Sequence, residues 1–327
     1  MDELMWLTVG AAAVFIIEAS VYLYWILWGN GSVISYINDG QRPNQNFRVI
    51  QTFHTSTQKI ALVEVGEEVW VYSNGEIMFG TKEDENEYAE VIVHVPMAAA
   101  KEVRRILIIG GGGGISVREA LRYEEVDEII AVDIDAEMMD LGKSFDRLVA
   151  FNEGALNHHK VRTMIQDGRS FVEQSLEAWD VIIVDIPEPT EKCPSLSRLF
   201  SLEFYHELKE HLNPGGVLSI ACSTVNLMPE YMWSIEKTLK ECGLFTIPFH
   251  NFSNKTGVDW GYILASTLPL QRDDIQLKVT TPFLTEGRLK DVLELPYYLN
   301  NRENKGMVQT DQNTVLLDIV KKELNDL

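Results

Sequence analysis

The sequence is short of cysteine and of basic residues, and each shortage excludes a class of protein. Its three cysteines, Cys193, Cys222 and Cys242, form no CxxC pair, which argues against a disulfide framework and against a bound metal such as zinc. The 28 lysines and arginines are outnumbered by 49 aspartates and glutamates, so the net charge is −21. Because a phosphate backbone is bound by Lys and Arg, we expect no nucleic-acid partner; a cationic small molecule is compatible with this charge.

The sequence also lacks a dinucleotide-binding fingerprint. Five consecutive glycines lie between a predicted strand at 105–109 and a predicted helix at 116–123, but GxGxxG fails because Ile115 or Ser116 takes the last position. The shorter pattern GxGxG fits through Gly110, Gly112 and Gly114. Glycine at these positions lets the chain turn sharply and lets a ligand approach the backbone. The spacing favours an adenosyl ligand without a pyrophosphate and does not favour an NAD enzyme.

One long hydrophobic run is present near the N-terminus. Residues 5–28 carry a single charge, Glu18, and have aromatic residues towards their ends. A run of about 20 apolar residues is long enough to cross a bilayer as a helix. We therefore predict a transmembrane helix within 1–30, followed by a linker at 31–46, with a buried core helix as the alternative.

The charges that flank this run predict an orientation. No Lys or Arg precedes it, whereas Arg42, Arg48 and Lys59 follow it. Because positively charged flanks stay inside the cell, we expect the N-terminus outside and the rest of the chain in the cytoplasm. The sequence thus predicts a single-pass protein anchored in the cell membrane.

The remaining chain divides into two patterns. Alternating apolar residues around an Asn-Gly turn predict a small antiparallel β domain at 47–87. Strands and helices then alternate, which is typical of an α/β protein with a doubly wound, mostly parallel, seven-stranded Rossmann-like sheet of the methyltransferase type at 88–270. The named strands are 105–109, 128–132, 161–165, 180–184, 216–221 and 261–265, and the named helices are 116–123, 136–150, 201–211 and 229–242. A mixed tail at 271–327 is expected to pack on this domain.

Carboxylates follow several of the predicted parallel strands. Asp133 ends the second strand, Asp167 and Gly168 end the third, and the fourth runs into Asp185 and Glu188. Ligands of such sheets bind at the carboxyl ends of the strands, where these side chains could hold a ribose, an adenine and a cation. The alternatives are a turn carboxylate for Asp133 and a capped, solvent-exposed loop for 185–189.

These motifs, in this order, resemble the polyamine aminopropyltransferases, the spermidine and spermine synthases. The resemblance covers the chain from about residue 52 to the C-terminus. Its motifs are TQKIALVE at 57–64, NEYAEVIVHVP at 86–96, ILIIGGGGGISVREAL at 106–121, AVDID at 131–135, QDGRSF at 166–171, VIIVDIPEP at 181–189, LFSLEFYHELKEHLNPGGVL at 199–218 and WGYILAS at 260–266. The DIPEP form and the N-terminal hydrophobic run are similar to the membrane-associated branch of that family.

The resemblance implies a reaction and a set of residue roles. An amine such as putrescine would attack the aminopropyl chain of decarboxylated S-adenosylmethionine, and methylthioadenosine would leave. A homodimer is expected, because soluble members of the family often form dimers. The implied roles are methylthioadenosine contact for Gln58, ribose binding for Asp133, adenine binding for Asp167 with Gly168, general base for Asp185, amine binding for Glu188 and channel lining for Tyr88.

Two departures from the family pattern leave other functions open. Gly113 stands where the family has an aspartate that binds the ammonium of the aminopropyl group, and Ala89 replaces a polar residue between Tyr88 and Glu90. A transferase that uses intact S-adenosylmethionine, moving a methyl or an aminocarboxypropyl group, is one alternative. A non-catalytic membrane protein that senses a nucleoside or a polyamine is the other.

Overall fold

A computed structural model describes residues 36–300 and 305–326 of the chain. These residues fall into two compact units, which are divided between Gly80 and Thr81. The smaller unit contains a four-stranded sheet and the larger one contains a seven-stranded sheet with helices on both faces.

The predicted membrane span at 5–28 lies outside the described residues. Within 36–300 and 305–326, no helix combines the length and the apolar composition needed to cross a bilayer. The longest helix there, Glu83–Ala99, has 17 residues and begins with three acidic side chains. This finding contradicts the predicted localisation as a single-pass membrane protein with its N-terminus outside, and that prediction is corrected accordingly.

The smaller unit is an antiparallel sheet whose strands pair in chain order. Its strands are β1 (Phe47–His54), β2 (Lys59–Val65), β3 (Glu68–Ser73) and β4 (Glu76–Gly80). The connection from β3 to β4 passes through Asn74 and Gly75, whose φ angles are 52° and 98°. Two consecutive positive φ angles are what the favoured two-residue hairpin turn requires, and the Asn-Gly sequence supplies them.

The larger unit is built on a sheet in the order β10-β11-β9-β8-β5-β6-β7. Its strands are β5 (Arg105–Gly110), β6 (Glu128–Asp133), β7 (Val161–Ile165), β8 (Trp179–Asp185), β9 (Leu212–Thr224), β10 (Phe245–Phe252) and β11 (Asp259–Ser266). The five strands from β7 to β9 are parallel, and β11 and β10 join antiparallel. The predicted seven-stranded, mostly parallel sheet is therefore confirmed.

Helices cover both faces of this sheet. They are α1 (Glu83–Ala99), α2 (Ile115–Ala120), α3 (Ala136–Ser144), α4 (Asp146–Phe151), α5 (Gly168–Gln174), α6 (Leu202–Glu210), α7 (Pro229–Glu241), α8 (Glu286–Leu293), α9 (Tyr297–Asn300) and α10 (Val315–Asp326). Short 3₁₀ turns lie at Asp39–Gln41, Ala155–Asn157, Pro194–Phe200 and Arg272–Asp274. The predicted helix at 136–150 is two helices, because the backbone is extended at Phe145.

The strands β5, β6, β8, β9 and β11 each contribute to two separate hydrophobic cores. On β5, Ile106 and Ile108 pack into a core with α1, whereas Leu107 and Ile109 pack into another with α6 and α7. This alternation follows from the period of two in a strand, and it explains why the central strands read as continuous apolar runs.

The outer strand β10 was not among the predicted strands. Its sequence, FTIPFHNF, contains Pro248, and a proline within an apolar run argues against a central strand. In the structure β10 pairs with β11 alone and forms an edge of the sheet, which is the position where a proline is tolerated.

Candidate active site

The strand order of the larger unit reverses at β5, which lies between β6 and β8. In open α/β sheets, ligands bind outside the carboxyl ends of the strands at such a switch point. Gly110, Asp133 and Asp185 are the last residues of β5, β6 and β8. Gly110 and Asp185 are directly paired in the sheet, so three of the predicted site residues lie side by side at this edge.

The glycine turn after β5 is shaped by close approaches that exclude side chains. A Cβ atom on Gly110, whose φ is 92°, would lie 2.0 Å from the carbonyl oxygen of Asp185. A Cβ on Gly112 would lie 2.6 Å from Oδ2 of Asp133. Glycine is therefore required at Gly110 by the backbone of the neighbouring strand, and at Gly112 by the ordered carboxylate of Asp133.

Asp133 binds the glycine turn. Its Oδ2 accepts a hydrogen bond from the backbone N–H of Gly112 and its Oδ1 accepts one from that of Asp135, both at 2.9 Å. Burial raises the pKa of Asp133, and the bonds from Asp135 and Gly112 oppose that rise. The carboxylate of Asp133 thus holds the glycine turn in place by hydrogen bonds. A solvent-exposed turn residue would not do so.

A buried asparagine supports the same turn from behind. Nδ2 of Asn152 donates to the carbonyl oxygens of Gly113 and Gly142, at 2.9 Å and 2.7 Å. Its Oδ1 accepts a hydrogen bond from the backbone N–H of Gly154. This role of Asn152 was not predicted, because Asn152 lies 39 residues from Gly113 along the chain.

Asp167 and Gly168 form the start of α5. Asp167 is its N-cap and accepts a hydrogen bond from the backbone N–H of Ser170 at 2.9 Å. This bond uses one of the two carboxylate oxygens. Gly168 packs so closely on Ile109 that a Cβ atom would lie 2.4 Å from its side chain. The pair is therefore fixed beside β5, and its adenine-binding role stays a prediction.

Two hydroxyl groups converge on Asp185. The hydroxyl of Tyr88 donates to Oδ1 and the hydroxyl of Ser116 donates to Oδ2, each at 2.7 Å. Burial raises the pKa of the Asp185 carboxyl, and the hydrogen bonds from Ser116 and Tyr88 oppose that rise. A carboxylate with a raised pKa and an ordered geometry can accept a proton near neutral pH.

Aromatic side chains flank this carboxylate. The ring of Tyr88 meets that of Trp260 edge-on with 5.7 Å between centroids, and it lies 5.5 Å from the ring of Tyr262. Burial, followed by the charge of Asp185, raises the pKa of both tyrosines well above 10. Trp260 and Tyr262 belong to the WGY motif, which the sequence alone did not assign to the site.

Two further residues, Gln58 and Glu188, were predicted to contact a ligand. Gln58 belongs to the smaller unit, where its side-chain oxygen accepts a hydrogen bond from the hydroxyl of Ser73. Glu188 is half-buried on the loop after β8. Their predicted contacts with a ligand stay predictions.

The fold and the site define a class of protein. An order of β10-β11-β9-β8-β5-β6-β7, a glycine turn after β5 and a carboxylate at the end of β6 characterise the Rossmann-like transferases that bind adenosyl ligands. The model of the spermine/spermidine synthase domain matches residues 85–271, more than half of the chain. The chain belongs to the spermine/spermidine synthase family, which confirms the resemblance found in the sequence. The membrane-associated branch is not tested by this match.

Curated relatives carry consistent names. The polyamine aminopropyltransferase of Oceanobacillus iheyensis is 34% identical over 241 residues, which cover 74% of this chain and 46% of the relative. Polyamine aminopropyltransferase 2 of Aquifex aeolicus is 33% identical over 240 residues, covering 73% of this chain and 48% of the relative. The chain spans about half the length of the curated relatives it matches.

Solved structures share the fold. The spermidine synthase of Thermotoga maritima superposes with a TM-score of 0.68 at 23% identity, covering 79% of this chain and 87% of that one. A spermidine synthase in complex with the transition-state analogue AdoDATO gives a TM-score of 0.67, also at 23% identity, with 79% and 87% of the two chains covered.

Proposed function

We propose that the chain is an aminopropyltransferase that moves an aminopropyl group from decarboxylated S-adenosylmethionine to a polyamine such as putrescine, releasing methylthioadenosine. The observation that carries this proposal is Asp185, held by Tyr88 and Ser116 at the switch point beside the glycine turn. Membership of the spermine/spermidine synthase family and the names of the relatives support the same reaction.

The donor would lie along the three strand ends. We assign its methylthioadenosine part to the glycine turn at Gly110, Gly112 and Gly114, with the ribose on Asp133. The adenine would lie against Asp167 and Gly168, and beside the exposed apolar side chains of Ile134 and Ile165. Because the site is largely preformed by backbone contacts, little ordering is needed on binding.

The attacking amine requires a proton acceptor in the site. A primary amine has a pKa of about 10.4, like that of lysine, and arrives protonated at neutral pH. Asp185 takes one proton from the attacking nitrogen, whose lone pair then forms the N–C bond while the C–S bond breaks and its electron pair neutralises the sulfonium. The face of Tyr88 and the carboxylate of Glu188 would hold the positive charges of the amine.

The direct test measures products by mass spectrometry. The full chain is incubated with decarboxylated S-adenosylmethionine and putrescine, and methylthioadenosine and spermidine are quantified. We expect both products in equal amounts and no turnover in Asp185→Asn, with methylthioadenosine binding retained. Asp291→Asn, which changes an exposed carboxylate on α8, is the matched control. Nucleoside binding without any product from a panel of amines would favour a sensor over an enzyme.

Gly113 supports a second candidate, a transferase that uses intact S-adenosylmethionine. A carboxylate at this position would repel the carboxylate of the intact donor, whereas glycine would not. Calorimetric titration with the two donors separates the candidates. Tighter binding of the decarboxylated donor supports the aminopropyltransferase, and tighter binding of the intact donor supports the alternative. The predicted homodimer is tested separately by light scattering.

A further inference from the structure

Asp185 receives its two hydrogen bonds from two different helices. Tyr88 lies on α1 and Ser116 lies on α2, and neither helix is adjacent to Asp185 along the chain. Both bonds measure 2.7 Å, so a displacement of either helix by an ångström would break one of them. The geometry of the carboxylate therefore depends on what fixes α1 against α2.

Helix α2 cannot fix itself. It has six residues, and the residue that precedes it, its N-cap Gly114, is in the left-handed conformation. A helix of this length is unstable by itself, because nucleation is unfavourable and few hydrogen bonds follow it. Its position must come from contacts with its neighbours.

A buried carboxylate supplies the main contact between the two helices. Glu119 lies one turn after Ser116 on α2 and is fully buried. Its Oε2 accepts a hydrogen bond at 2.9 Å from Nε2 of His94 on α1, and the hydroxyl of Tyr123 lies 3.0 Å from Nδ1 of the same imidazole. Arg122 also donates to Glu119, from Nε to Oε2 at 2.6 Å.

Arg118 adds a second contact, close to Tyr88. Its Nε donates to Oε1 of Glu119 at 2.7 Å, and one terminal nitrogen donates to Oδ1 of Asn86 at 2.8 Å. Asn86 precedes Tyr88 by two residues on α1. The other terminal nitrogen reaches the carbonyl oxygen of Phe151 at 2.6 Å. The guanidinium thus joins α2 to the end of α1 that carries Tyr88.

The ionic character of this network indicates that it fixes the position of α1 relative to α2. A buried ionic cluster is often no more stable than well-packed apolar side chains of the same volume, and in some proteins such a cluster serves to specify one geometry. An apolar contact between α1 and α2 would tolerate small slips. The network joins the two helices at the turns next to Ser116 and Tyr88.

We infer that Glu119 and Arg118 are positioning residues, which hold α1 and α2 so that Tyr88 and Ser116 both donate to Asp185. This inference deepens the proposed function and rests on it for its kinetic consequences. Ser116 is the element through which the network acts on the carboxylate, since it lies on the same short helix as Glu119 and Arg118.

Steady-state kinetics test the inference in the full chain. We expect Ser116→Ala to lower kcat about tenfold, the value of one hydrogen bond to a charged group, and to change KM for the donor by less than about twofold. Ser116→Thr keeps the hydroxyl and should restore most of kcat. Glu119→Gln should also lower kcat, as Ser116→Ala does. Arg104→Gln, which removes an exposed ion pair with Asp127, is the control and should be silent.

The ionisation of Asp185 provides a readout that does not need turnover. The carboxyl is titrated by ¹³C NMR in protein labelled at aspartate, and its signal is assigned by its absence in Asp185→Asn. Loss of a donor raises a carboxyl pKa, so Ser116→Ala and Glu119→Gln should both raise that of Asp185. Removing the negative charge of Glu119 without moving the helix would instead lower it. The sign of the shift therefore separates positioning from simple electrostatics.

The outcomes are distinct from those of the proposed function. If the wild type makes no spermidine but Glu119→Gln raises the pKa of Asp185, the transfer reaction is wrong and the positioning network stands. If the wild type is active and both variants keep its kcat and its Asp185 pKa, and only their stability falls, the network is structural and the inference is overturned. Should Glu119→Gln fail to fold, Asn86→Ala, which removes one contact of Arg118, replaces it with the same expectations.

Discussion

Nη1 of Arg169 lies 2.7 Å from Oδ1 of Asp311, and this ion pair joins the second residue of α5 to the C-terminal tail. The side chains of both residues are mostly withdrawn from solvent. Arg169 also lies within reach of the hydroxyl of Ser201, at 3.5 Å. Because α5 begins at Gly168, the ion pair fixes the helix whose N-terminal end we propose to bind the adenine.

Replacing this arginine tests that connection. We expect Arg169→Gln to lower the free energy of unfolding by about 1–2 kcal/mol, as for a partly buried ion pair with ordered hydrogen bonds. Binding of methylthioadenosine should weaken in parallel, because the position of Asp167 becomes less defined. Urea unfolding and calorimetric titration measure the two effects. Arg272→Gln, which alters an exposed arginine, serves as the comparison; equal losses in both variants would contradict this connection.

Acid should weaken the larger unit through Glu119. Burial raises the pKa of this carboxyl, but hydrogen bonds from His94 and Arg122 and the charge of Arg118 outweigh burial and lower the pKa from 4.5 to about 2. A carboxyl whose pKa is lowered by folding stabilises the protein above its unfolded pKa, and this contribution is lost as the pH falls towards the folded pKa. The window therefore runs from 4.5 down to about 2.

The variant Glu119→Gln isolates this contribution. At neutral pH it should cost about 3–5 kcal/mol, the usual cost of removing one partner from a buried ionic cluster. Between pH 4.5 and 2 its stability should fall less steeply than that of the wild type. Urea midpoints at several pH values across this window give the comparison. Parallel curves for the two proteins would show that Glu119 titrates normally.

The glycine turn should not tolerate a methyl group at its centre. We expect Gly112→Ala to abolish detectable nucleoside binding, because the new Cβ would lie 2.6 Å from Asp133 Oδ2 and 3.0 Å from Met138 Cγ. Gly287→Ala is the matched control, since a Cβ atom there would lie 3.9 Å from Oγ1 of Thr285, an ordinary contact, and the residue is in helix α8. Alanine is favoured over glycine in helices by about 1 kcal/mol, so the control should be stable and bind normally.

Asn152 should matter for both stability and binding. In Asn152→Ala the carbonyl oxygens of Gly113 and Gly142 lose their shared donor, and each unsatisfied buried group costs about 1–3 kcal/mol. The glycine turn should also become less ordered. Thermal unfolding with and without methylthioadenosine checks both points: we expect a lower midpoint and a smaller shift on adding the nucleoside. A lower midpoint with an unchanged ligand shift would limit Asn152 to a structural role.

Replacing Glu188 should weaken binding of the amine and should not change binding of the donor. On the proposed function, Glu188→Gln removes a carboxylate that balances the charge of the acceptor, so KM for putrescine should rise about tenfold while KM for the donor stays constant. Initial rates with each substrate varied in turn provide the measurement. Glu191→Gln, an exposed carboxylate on the same loop, is the control. A rise in KM for the donor alone would place Glu188 on the nucleoside side.

Much of the larger unit was predictable because its central strands carry strong local signals. The apolar runs of β5, β6 and β8 end in glycine or aspartate, and these ends mark the carboxyl edge of the sheet. Strand β1 was not named, since its residues are partly exposed on both faces and alternate weakly. Helix α1 was not named either: its apolar stretch around Pro96 lies in the core and has little polar face.

Some residues of the site could be predicted from the sequence and others could not. Asp133, Asp167 and Asp185 could be proposed because each follows a strand. Ser116 could not, because its significance depends on a hydrogen bond to a residue 69 positions away. Such contacts are properties of the packed tertiary structure and leave no local pattern in the sequence. The role of Gln58 stays a prediction.

The proline on the outermost strand limits how this sheet can grow. A proline has no N–H, and within sheets it is found on edge strands with its nitrogen turned towards solvent. At Pro248, the free edge of β10 therefore lacks the backbone N–H that would donate to an added strand. A second polypeptide added along this border would lack a ladder hydrogen bond at Pro248, so self-association by strand addition is discouraged there without any charged residue being required.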